Sequence, residues 1–338
     1  MRSSYLALLK LVILFQGLVS QAEALSCEMI FSPKTKLFRS SQHFLLFHEI
    51  KPGKFTIGRF GYRQEAEITR PFEMMTTRIT QKMWARLKIL MGEKNLDNIN
   101  PSYFKTGKDS KVVNIGGIDV QMKPDHPVER VSWADAMLLI NDLNRLSRLG
   151  DSKVQGFLSL LMPGHQTGDV YDLPTAAQLE FVQRDRGNVA YDNMNCYNSD
   201  LRSYAWFKQN SEGQTHPEES LLPRMIDTGG NGDRHAFYLE GNVMEWTRDW
   251  YYHSNVYMGG KDPQSIGDEN APRMTIGFSW DCSSYHNANF PVILNRGAQA
   301  ASLRREDIGF RLVRTRNAFY NWANFFYNMS PAQNYPSR

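Results

Sequence analysis

Apolar residues recur with helical spacing in three segments of the chain, and each segment begins at a residue that can cap a helix. In the first segment, Thr80 precedes Trp84, Leu87 and Leu90, which recur every three or four residues until Gly92. This spacing places the apolar side chains on one face, and the threonine hydroxyl can accept a backbone N–H of the first turn. The pattern predicts an amphipathic helix between Thr80 and Gly92.

Two further segments begin with the pattern of a capping box. The first begins at Ser132, with an acid three residues later, and its apolar spacing continues to Gly150. The second begins at Thr175, with Gln178 three residues later, and continues to Gly187. In such a box the first side chain and the residue three positions later each accept a backbone N–H of the other. Both segments are therefore predicted to be helices.

The remaining apolar residues alternate over short distances, which is typical of strands. Residues 44–57 alternate around a Lys-Pro-Gly-Lys turn at residues 51–54 and predict two short strands. Beyond Asn188 the chain is rich in Asn, Gly, Tyr and Trp without a long helical period, so we expect irregular backbone and short strands. No internal repeat or linker divides the sequence, which favours a single domain.

Composition and charge narrow the class of protein. Hydrophobic residues make up 41% of the 338 residues, enough to fill a substantial core. The 39 basic and 35 acidic residues are spread along the chain without a cluster that could follow a phosphate backbone, so we expect no nucleic-acid partner. Residues 317–338 are aromatic and amide-rich, and we expect this tail to pack on the body or to contact a partner.

The first 24 residues have the pattern of an export signal. Arg2 is followed by an apolar run over residues 6–19 and by Ala-Glu-Ala at residues 22–24, which fits a small-x-small cleavage site. A membrane anchor is the alternative, but the run contains Lys10 and is shorter than the roughly 20 residues that span a bilayer. We expect cleavage before Leu25, a periplasmic or secreted mature protein, and no transmembrane span after cleavage.

The cysteine count is odd in an oxidising compartment. Cys27, Cys196 and Cys282 are the three cysteines, so one thiol is expected to be unpaired, lipidated or reactive. A disulfide between Cys196 and Cys282 is one arrangement. Lipidation at Cys27 is another, because Leu-Ser-Cys at residues 25–27 resembles the end of a bacterial lipoprotein signal, although Ala24 stands where leucine is usual.

Several segments, in this order, resemble the sulfatase-modifying-factor, or formylglycine-generating enzyme, family. They are PGKFTIG at 52–58, PFEM at 71–74 followed by Thr80, HPVERVSWADA at 126–136, LPT at 173–175 with Glu180, residues 210–217, GNVMEW at 241–246 with DWY at 249–251, and GFR at 309–311. The resemblance covers residues 45–316, and so many matches in order are difficult to produce by chance. It implies an α+β fold similar to C-type lectins, with few helices, small antiparallel sheets and much irregular backbone.

Residues 241–246 resemble the part of the family that binds calcium. Asn242 and Glu245 offer an amide oxygen and a carboxylate, which suit a hard cation. The alternative is that Asn242 bonds to local backbone while the neighbouring tryptophans fill the core. Relatives usually carry an acid or an amide where Tyr238 stands. A second acidic loop at residues 227–233 lacks EF-hand spacing and is expected to be a solvated turn.

The segment at residues 277–282, Gly-Phe-Ser-Trp-Asp-Cys, resembles the oxidase site of the family. There, a serine-containing string is followed by two cysteines five residues apart, and these two cysteines bind copper and use oxygen to convert a substrate cysteine into formylglycine. Ser279 and Cys282 match the serine and the first cysteine, but Asn287 stands at the second cysteine position. An amide is a poor ligand for monovalent copper, and a substitution by His286 needs a backbone shift of one residue, so we expect no copper site.

The resemblance and the incomplete cysteine pair together predict an exported, non-oxidising protein that binds a polypeptide or another extracytoplasmic ligand. The alternative is an oxidase or other protein-modifying enzyme that uses Cys282, with Ser279 beside it. Phe278 in place of a glycine and the charged run at residues 304–307 are expected to reshape a substrate groove. Arg311 of the closing GFR string is expected to bind a carboxylate and tie down the C-terminal segment.

Overall fold

Short strands form two four-stranded sheets, one three-stranded sheet and two hairpins among the described residues of the computed structural model. The structure describes residues 44–58, 61–188, 199–229, 231–253, 257–267, 270–282 and 295–316. The predicted export signal at residues 1–24, Cys27, Cys196, the pair His286 and Asn287, and the tail at residues 317–338 lie outside these ranges.

The first four-stranded sheet joins the two ends of the described chain. Its order is β1 (Phe47–Ile50), β4 (Phe72–Met75), β15 (Val313–Thr315) and β7 (Val170–Asp172), and all neighbours are antiparallel. The last strand of the described chain therefore pairs with two strands from its first half, which closes the fold.

The second four-stranded sheet carries the candidate calcium segment. Its order is β13 (Arg296–Gln299), β12 (Arg273–Ile276), β10 (Met244–Trp250) and β14 (Ile308–Gly309). The pair of β10 and β14 is parallel, and the other neighbours are antiparallel. All but the first residue of β10 are buried, so this strand lies in the interior and fixes the position of Glu245.

The three-stranded sheet and the hairpins complete the strand framework. The sheet has the order β11 (Gly260–Lys261), β3 (Gln64–Ile68) and β2 (Gly53–Ile57). The hairpins are β5 (Lys111–Ile115) with β6 (Ile118–Met122), and β8 (Arg224–Asp227) with β9 (Arg234–Phe237). The two strands predicted around the turn at residues 51–54 are confirmed as β1 and β2, but each joins a different sheet.

Five α-helices occur in the described part of the chain. They are α1 (Gln81–Leu90), α2 (Leu96–Ile99), α3 (Trp133–Ser147), α4 (Ser152–Leu161) and α5 (Ala176–Gln183). The hydroxyl of Thr80 accepts the N–H of Met83, and complete capping boxes begin α3 and α5. The three predicted helices are therefore confirmed, although α3 ends three residues before Gly150, and a 3₁₀ turn at Asp185–Gly187 follows α5.

The sequence pattern does not predict α4. Asp151 caps this helix by accepting the N–H groups of Lys153 and Val154, but only Val154, Leu158 and Leu161 are buried along it. These three residues recur every three or four positions and form one apolar face, and the helix packs against α3.

The main core lies between the helices and the first two sheets. Trp84 of α1 meets Phe310 edge to face with ring centroids 6.0 Å apart, and Trp246 of β10 belongs to the same buried cluster. A second cluster around Phe55 and Phe181 lies beneath the three-stranded sheet. Few helices and small, mainly antiparallel sheets confirm the predicted α+β class. In the described part of the chain, no helix has both the length and the apolar character needed to cross a membrane.

Candidate functional site

Glu245 lies on β10 between two arginines. Arg311 donates from Nε to Oε2 at 2.6 Å and from Nη2 to Oε1 at 2.9 Å, and Nε of Arg78 lies 2.9 Å from Oε1. Burial opposes the ionisation of Glu245, but the two guanidinium groups keep its pKa below the ordinary value. The expectation that Arg311 binds a carboxylate is confirmed. Its other donors reach the carbonyl oxygens of Met75, Thr76 and Tyr238.

Asn242 bonds to the protein rather than presenting a free oxygen. Its Oδ1 accepts the backbone N–H of His216 at 3.0 Å, and its Nδ2 donates to the carbonyl of His216 at 2.9 Å and to Glu218 at 3.0 Å. Asn242 therefore bonds to backbone, as the alternative to calcium binding held, but this backbone belongs to a residue 26 positions away and is not local. Within the described ranges, no group of three or more His, Cys, Asp or Glu side chains could hold a metal ion. Calcium binding at Asn242 and Glu245 stays a prediction. The groups that contact the Glu245 carboxylate are the guanidinium groups of Arg78 and Arg311, not further oxygen ligands.

Gly241 permits the turn that places Asn242. Its φ is +67°, and a Cβ atom at this position would lie 2.4 Å from the carbonyl oxygen of Trp206. The backbone approaches so closely because Asn242 donates its N–H to that same carbonyl at 2.8 Å. Glycine is therefore required here both for the backbone conformation and for the space.

The segment at residues 277–282 lies against this turn. Trp280 donates its N–H to the carbonyl of Asn242 at 2.8 Å, and its own carbonyl accepts the hydroxyl of Ser211 at 2.8 Å. The Trp280 indole donates to the carbonyl of Glu306 at 3.1 Å. The two predicted site segments, separate in sequence, are therefore brought together in the fold.

Neither predicted catalytic side chain is open to solvent. Ser279 is 5% exposed and Cys282 is 4% exposed, and the N–H of Cys282 donates to the carbonyl of Ser279 at 3.0 Å. Cys282 is disulfide-bonded, and the other two cysteines of the chain lie outside the described residues. A sulfur in a disulfide is not a thiolate, which is the form that acts as a nucleophile or binds a soft metal. Phe278 is also buried, so its ring is directed into the protein interior.

A cavity of about 410 Å³ lies near this segment. Its walls come from α2, the loop after it, and two arginines from distant parts of the sequence. The lining residues are Asp97, Asn98, Pro101, Ser102, Tyr103, Lys105, Arg130 and Arg304. Two of these residues lie in segments that the sequence had indicated, Arg130 in the family string at residues 126–136 and Arg304 in the charged run at residues 304–307. Nothing in the local pattern around Tyr103 or Arg130 indicates that these residues face one cavity.

Glu129 fixes the loop that forms one wall of the cavity. Its buried carboxylate accepts the backbone N–H groups of Tyr103 and Phe104, each at 2.9 Å. Burial raises the pKa of Glu129 to about 7, and the two N–H groups oppose that rise. The ring of Phe104 meets Trp280 edge to face, with centroids 5.3 Å apart. The cavity loop is thereby packed against the segment that carries Ser279 and Cys282.

Three basic side chains face the cavity, and they differ in their partners. Lys105 lies 3.3 Å from Asp97, and Arg304 donates to both oxygens of Asp135 at 2.8 and 2.7 Å. Arg130 is exposed, and within the described part of the chain its guanidinium forms no ion pair. Its backbone has a φ of +58°, which is unusual for a residue other than glycine, and its N–H donates to the carbonyl of Arg305 at 2.8 Å.

The fold and the motifs agree with comparisons to known proteins. The family model described as a sulfatase-modifying factor enzyme 1-like domain matches residues 41–316. No curated protein matches the chain in sequence.

Two solved structures are similar in fold to this protein. The Treponema denticola variable protein 1 is 21% identical, with a TM-score of 0.54 over 79% of this chain and 94% of its own. PvdO from Pseudomonas aeruginosa is 19% identical, with a TM-score of 0.55 over 80% of this chain and 94% of its own. At such identities the likeness concerns the fold alone. Since the family model covers most of the chain, the protein belongs to the sulfatase-modifying factor enzyme 1-like family.

Proposed function

We propose that this protein is an exported member of the family that binds a polypeptide or another extracytoplasmic ligand without oxidising it. Family membership alone does not determine activity, because a fold carries different functions when its site residues change. Whether this protein oxidises a substrate therefore depends on the residues that match the oxidase site of the family. Those residues are Ser279, Cys282 and Asn287, which stands at the second cysteine position.

The observation that carries the non-oxidising role is the state of Cys282. This cysteine is disulfide-bonded and buried, and Asn287 stands where the oxidases of the family have their second cysteine. Cuprous ion prefers two soft thiolate ligands. Cys282 is held in a disulfide and Asn287 has an amide, so neither position supplies a thiolate. Cys196 is the partner we propose for Cys282, since Cys27 lies close to the predicted cleavage site.

A combined copper and oxygen measurement tests this function. The purified protein is incubated with monovalent copper, dialysed, analysed for bound metal, and then supplied with a cysteine-containing peptide while oxygen uptake is recorded. We expect less than stoichiometric copper and no uptake above the protein-free control. Stoichiometric copper with turnover that is lost in Cys282→Ser would establish the oxidase alternative. Ser279→Ala serves as a second variant that leaves the disulfide intact.

A thiol count provides an independent readout that requires no substrate. We expect no reaction of Cys282 with a thiol reagent in the native protein or after unfolding without reductant. Peptide mapping under non-reducing conditions should recover Cys282 linked to Cys196. Recovery of a free, alkylated Cys282 from the native protein would contradict the proposed role, because an accessible thiolate is what the enzyme alternative needs.

Export is the second part of the proposal, and the pattern at residues 2–24 supports it. Expression with the natural start in a bacterial host, followed by fractionation and N-terminal sequencing, tests it. We expect mature protein in the periplasm or medium that begins at Leu25. A lipidated protein that begins at Cys27 would identify the lipoprotein alternative, and an uncleaved chain in the membrane fraction would contradict cleavage.

A further inference from the structure

We propose that the cavity formed by Lys105, Arg130 and Arg304 binds the carboxylates of an acidic polypeptide segment. This inference rests on the proposed binding function and names the chemistry of its ligand. The three basic residues come from two loops and from the segment before β14, and they face one space of about 410 Å³. That volume lies within the range of about 300–1,000 Å³ that is typical of ligand pockets.

The charges that line the cavity favour an anion. Three cationic side chains and one carboxylate, that of Asp97, line it. Lys105 and Arg304 already have acidic neighbours in Asp97 and Asp135. Arg130 forms no ion pair with any residue that the structure describes, although its charge acts on the adjacent, buried Glu129. A guanidinium presents parallel N–H donors that match the two oxygens of a carboxylate. Arg130 is therefore the residue positioned to bind an incoming acidic group.

The wall that carries these groups is fixed before any ligand binds. Arg130 is held in a left-handed backbone conformation by its N–H bond to the carbonyl of Arg305. The loop with Tyr103 is held by the two backbone bonds to Glu129. A site that is ordered in advance loses less entropy when it binds a ligand, and this favours a specific site over an incidental basic patch.

An exposed aromatic ring beside the cations distinguishes a peptide from a simple anion. Tyr103 is 61% exposed, and its ring meets Phe104 edge to face with centroids 5.1 Å apart. Such a surface contacts the aliphatic stem of a glutamate side chain and the adjacent backbone, which inorganic phosphate lacks. The scattered charge of the whole chain, with no basic stripe in the sequence, favours a polypeptide over a nucleic acid.

Fluorescence anisotropy with two labelled peptides tests the inference. The probes are a fluorescein-labelled glutamate-rich peptide and its counterpart with glutamine at every acidic position. We expect the purified protein to bind the glutamate peptide at least about tenfold more tightly, with an affinity that falls as salt is added. Equal binding of the two peptides, or no binding of either, would overturn the inference.

Variants at the cavity supply the residue-level test. Arg130→Asn removes the cation and keeps a side chain that tolerates the left-handed backbone, so the fold should persist and affinity should drop about tenfold. Asp97→Asn removes the partner of Lys105 and should increase affinity. Arg145→Gln, an exposed arginine ten residues beyond Asp135 on α3 and hence about 15 Å further along, is the matched control and should change nothing. Unchanged affinity in Arg130→Asn, with a normal unfolding midpoint, would overturn the assignment.

Competition experiments separate the possible sources of negative charge. Inorganic phosphate at millimolar concentration should displace the peptide only weakly, and full displacement would show that a simple anion suffices. Single-stranded RNA that outcompetes the glutamate peptide at equal charge would redirect the site to nucleic acid. If the peptides fail to bind while copper-dependent oxygen uptake stays absent, the cavity inference fails and the non-oxidising role stands. If the glutamate peptide binds as expected but copper-dependent oxygen uptake is observed, the cavity inference stands and the non-oxidising role fails.

Discussion

Arg311 binds both oxygens of the Glu245 carboxylate in the interior of the protein, at 2.6 and 2.9 Å. The pair joins β10 to the segment that leads into β15, and Arg78 approaches the same carboxylate from the loop before α1. The side chains of Arg311 and Glu245 are both buried, so neither charged group can be hydrated if its partner is lost. The ion pair is therefore part of the framework that holds the candidate site together.

The first prediction concerns this pair. Arg311→Met should lower the free energy of unfolding by about 3–5 kcal/mol, because Glu245 is left buried with an incomplete set of partners. Arg311→Lys should be intermediate, since an ammonium cannot span both oxygens. Urea denaturation followed by circular dichroism measures both. Arg145→Met, which removes an exposed pair with Asp142, is the control and should cost less than about 1 kcal/mol.

The second prediction separates a structural role for Glu245 from calcium binding. With two guanidinium groups on this carboxylate, Glu245→Gln should lower the unfolding temperature by the same amount in calcium chloride and in chelator. The measurement is thermal unfolding of both proteins in the two buffers. An increase with calcium in the natural protein that disappears in Glu245→Gln and in Asn242→Ala would instead assign the ion to these residues.

The third prediction is a pH dependence that originates from Glu129. Its pKa rises from 4.5 to about 7 on folding, so between these values the folded protein keeps a proton that the unfolded chain has lost. Stability must then fall as the pH rises through this window, and the penalty is absent below pH 4.5 and complete above pH 7. Across this pH window, the unfolding free energy of the natural protein minus that of Glu129→Gln should fall by about 3 kcal/mol.

Denaturant titrations at several pH values measure this difference, and subtracting the variant cancels the titration of other groups. Glu65→Gln removes an exposed carboxylate on β3 and controls for the general loss of a negative charge. A pH-independent difference between the natural protein and Glu129→Gln would refute the assignment. Because Glu129 holds the cavity loop, peptide affinity should also weaken in Glu129→Ala, which lacks any acceptor for Tyr103 and Phe104.

The fourth prediction tests the close approach at Gly241. Gly241→Ala should cost more than about 3 kcal/mol, since its Cβ would lie 2.4 Å from the carbonyl of Trp206 in addition to the strain of a positive φ. Gly92→Ala is the matched control, because Gly92 has a φ of +88° with no atom near the Cβ position. It should cost only about 1–2 kcal/mol. Similar losses in the two variants would mean that conformation alone, without the contact, accounts for the glycine.

Local hydrogen bonds made much of this fold predictable. Thr80, Ser132 and Thr175 each begin a helix because their side chains bond to backbone groups within three residues, and the sequence displays both partners of such a bond together. The ordered family motifs likewise indicated the α+β fold. Arg311 was expected to bind a carboxylate, but that its partner is Glu245 came from the structure alone. In the candidate site, Ser279 and Cys282 could be named from sequence, but not their burial.

The sequence alone determined where helices start, the family to which the chain belongs, and which oxidase cysteine is replaced. The tertiary structure alone decided that β1 and β2 join different sheets, that Arg78 approaches Glu245, and that a cavity unites the three basic residues Lys105, Arg130 and Arg304. The reason is the range of the interactions. Capping bonds span three residues, whereas contacts between residues dozens or hundreds of positions apart exist only after the whole chain has packed.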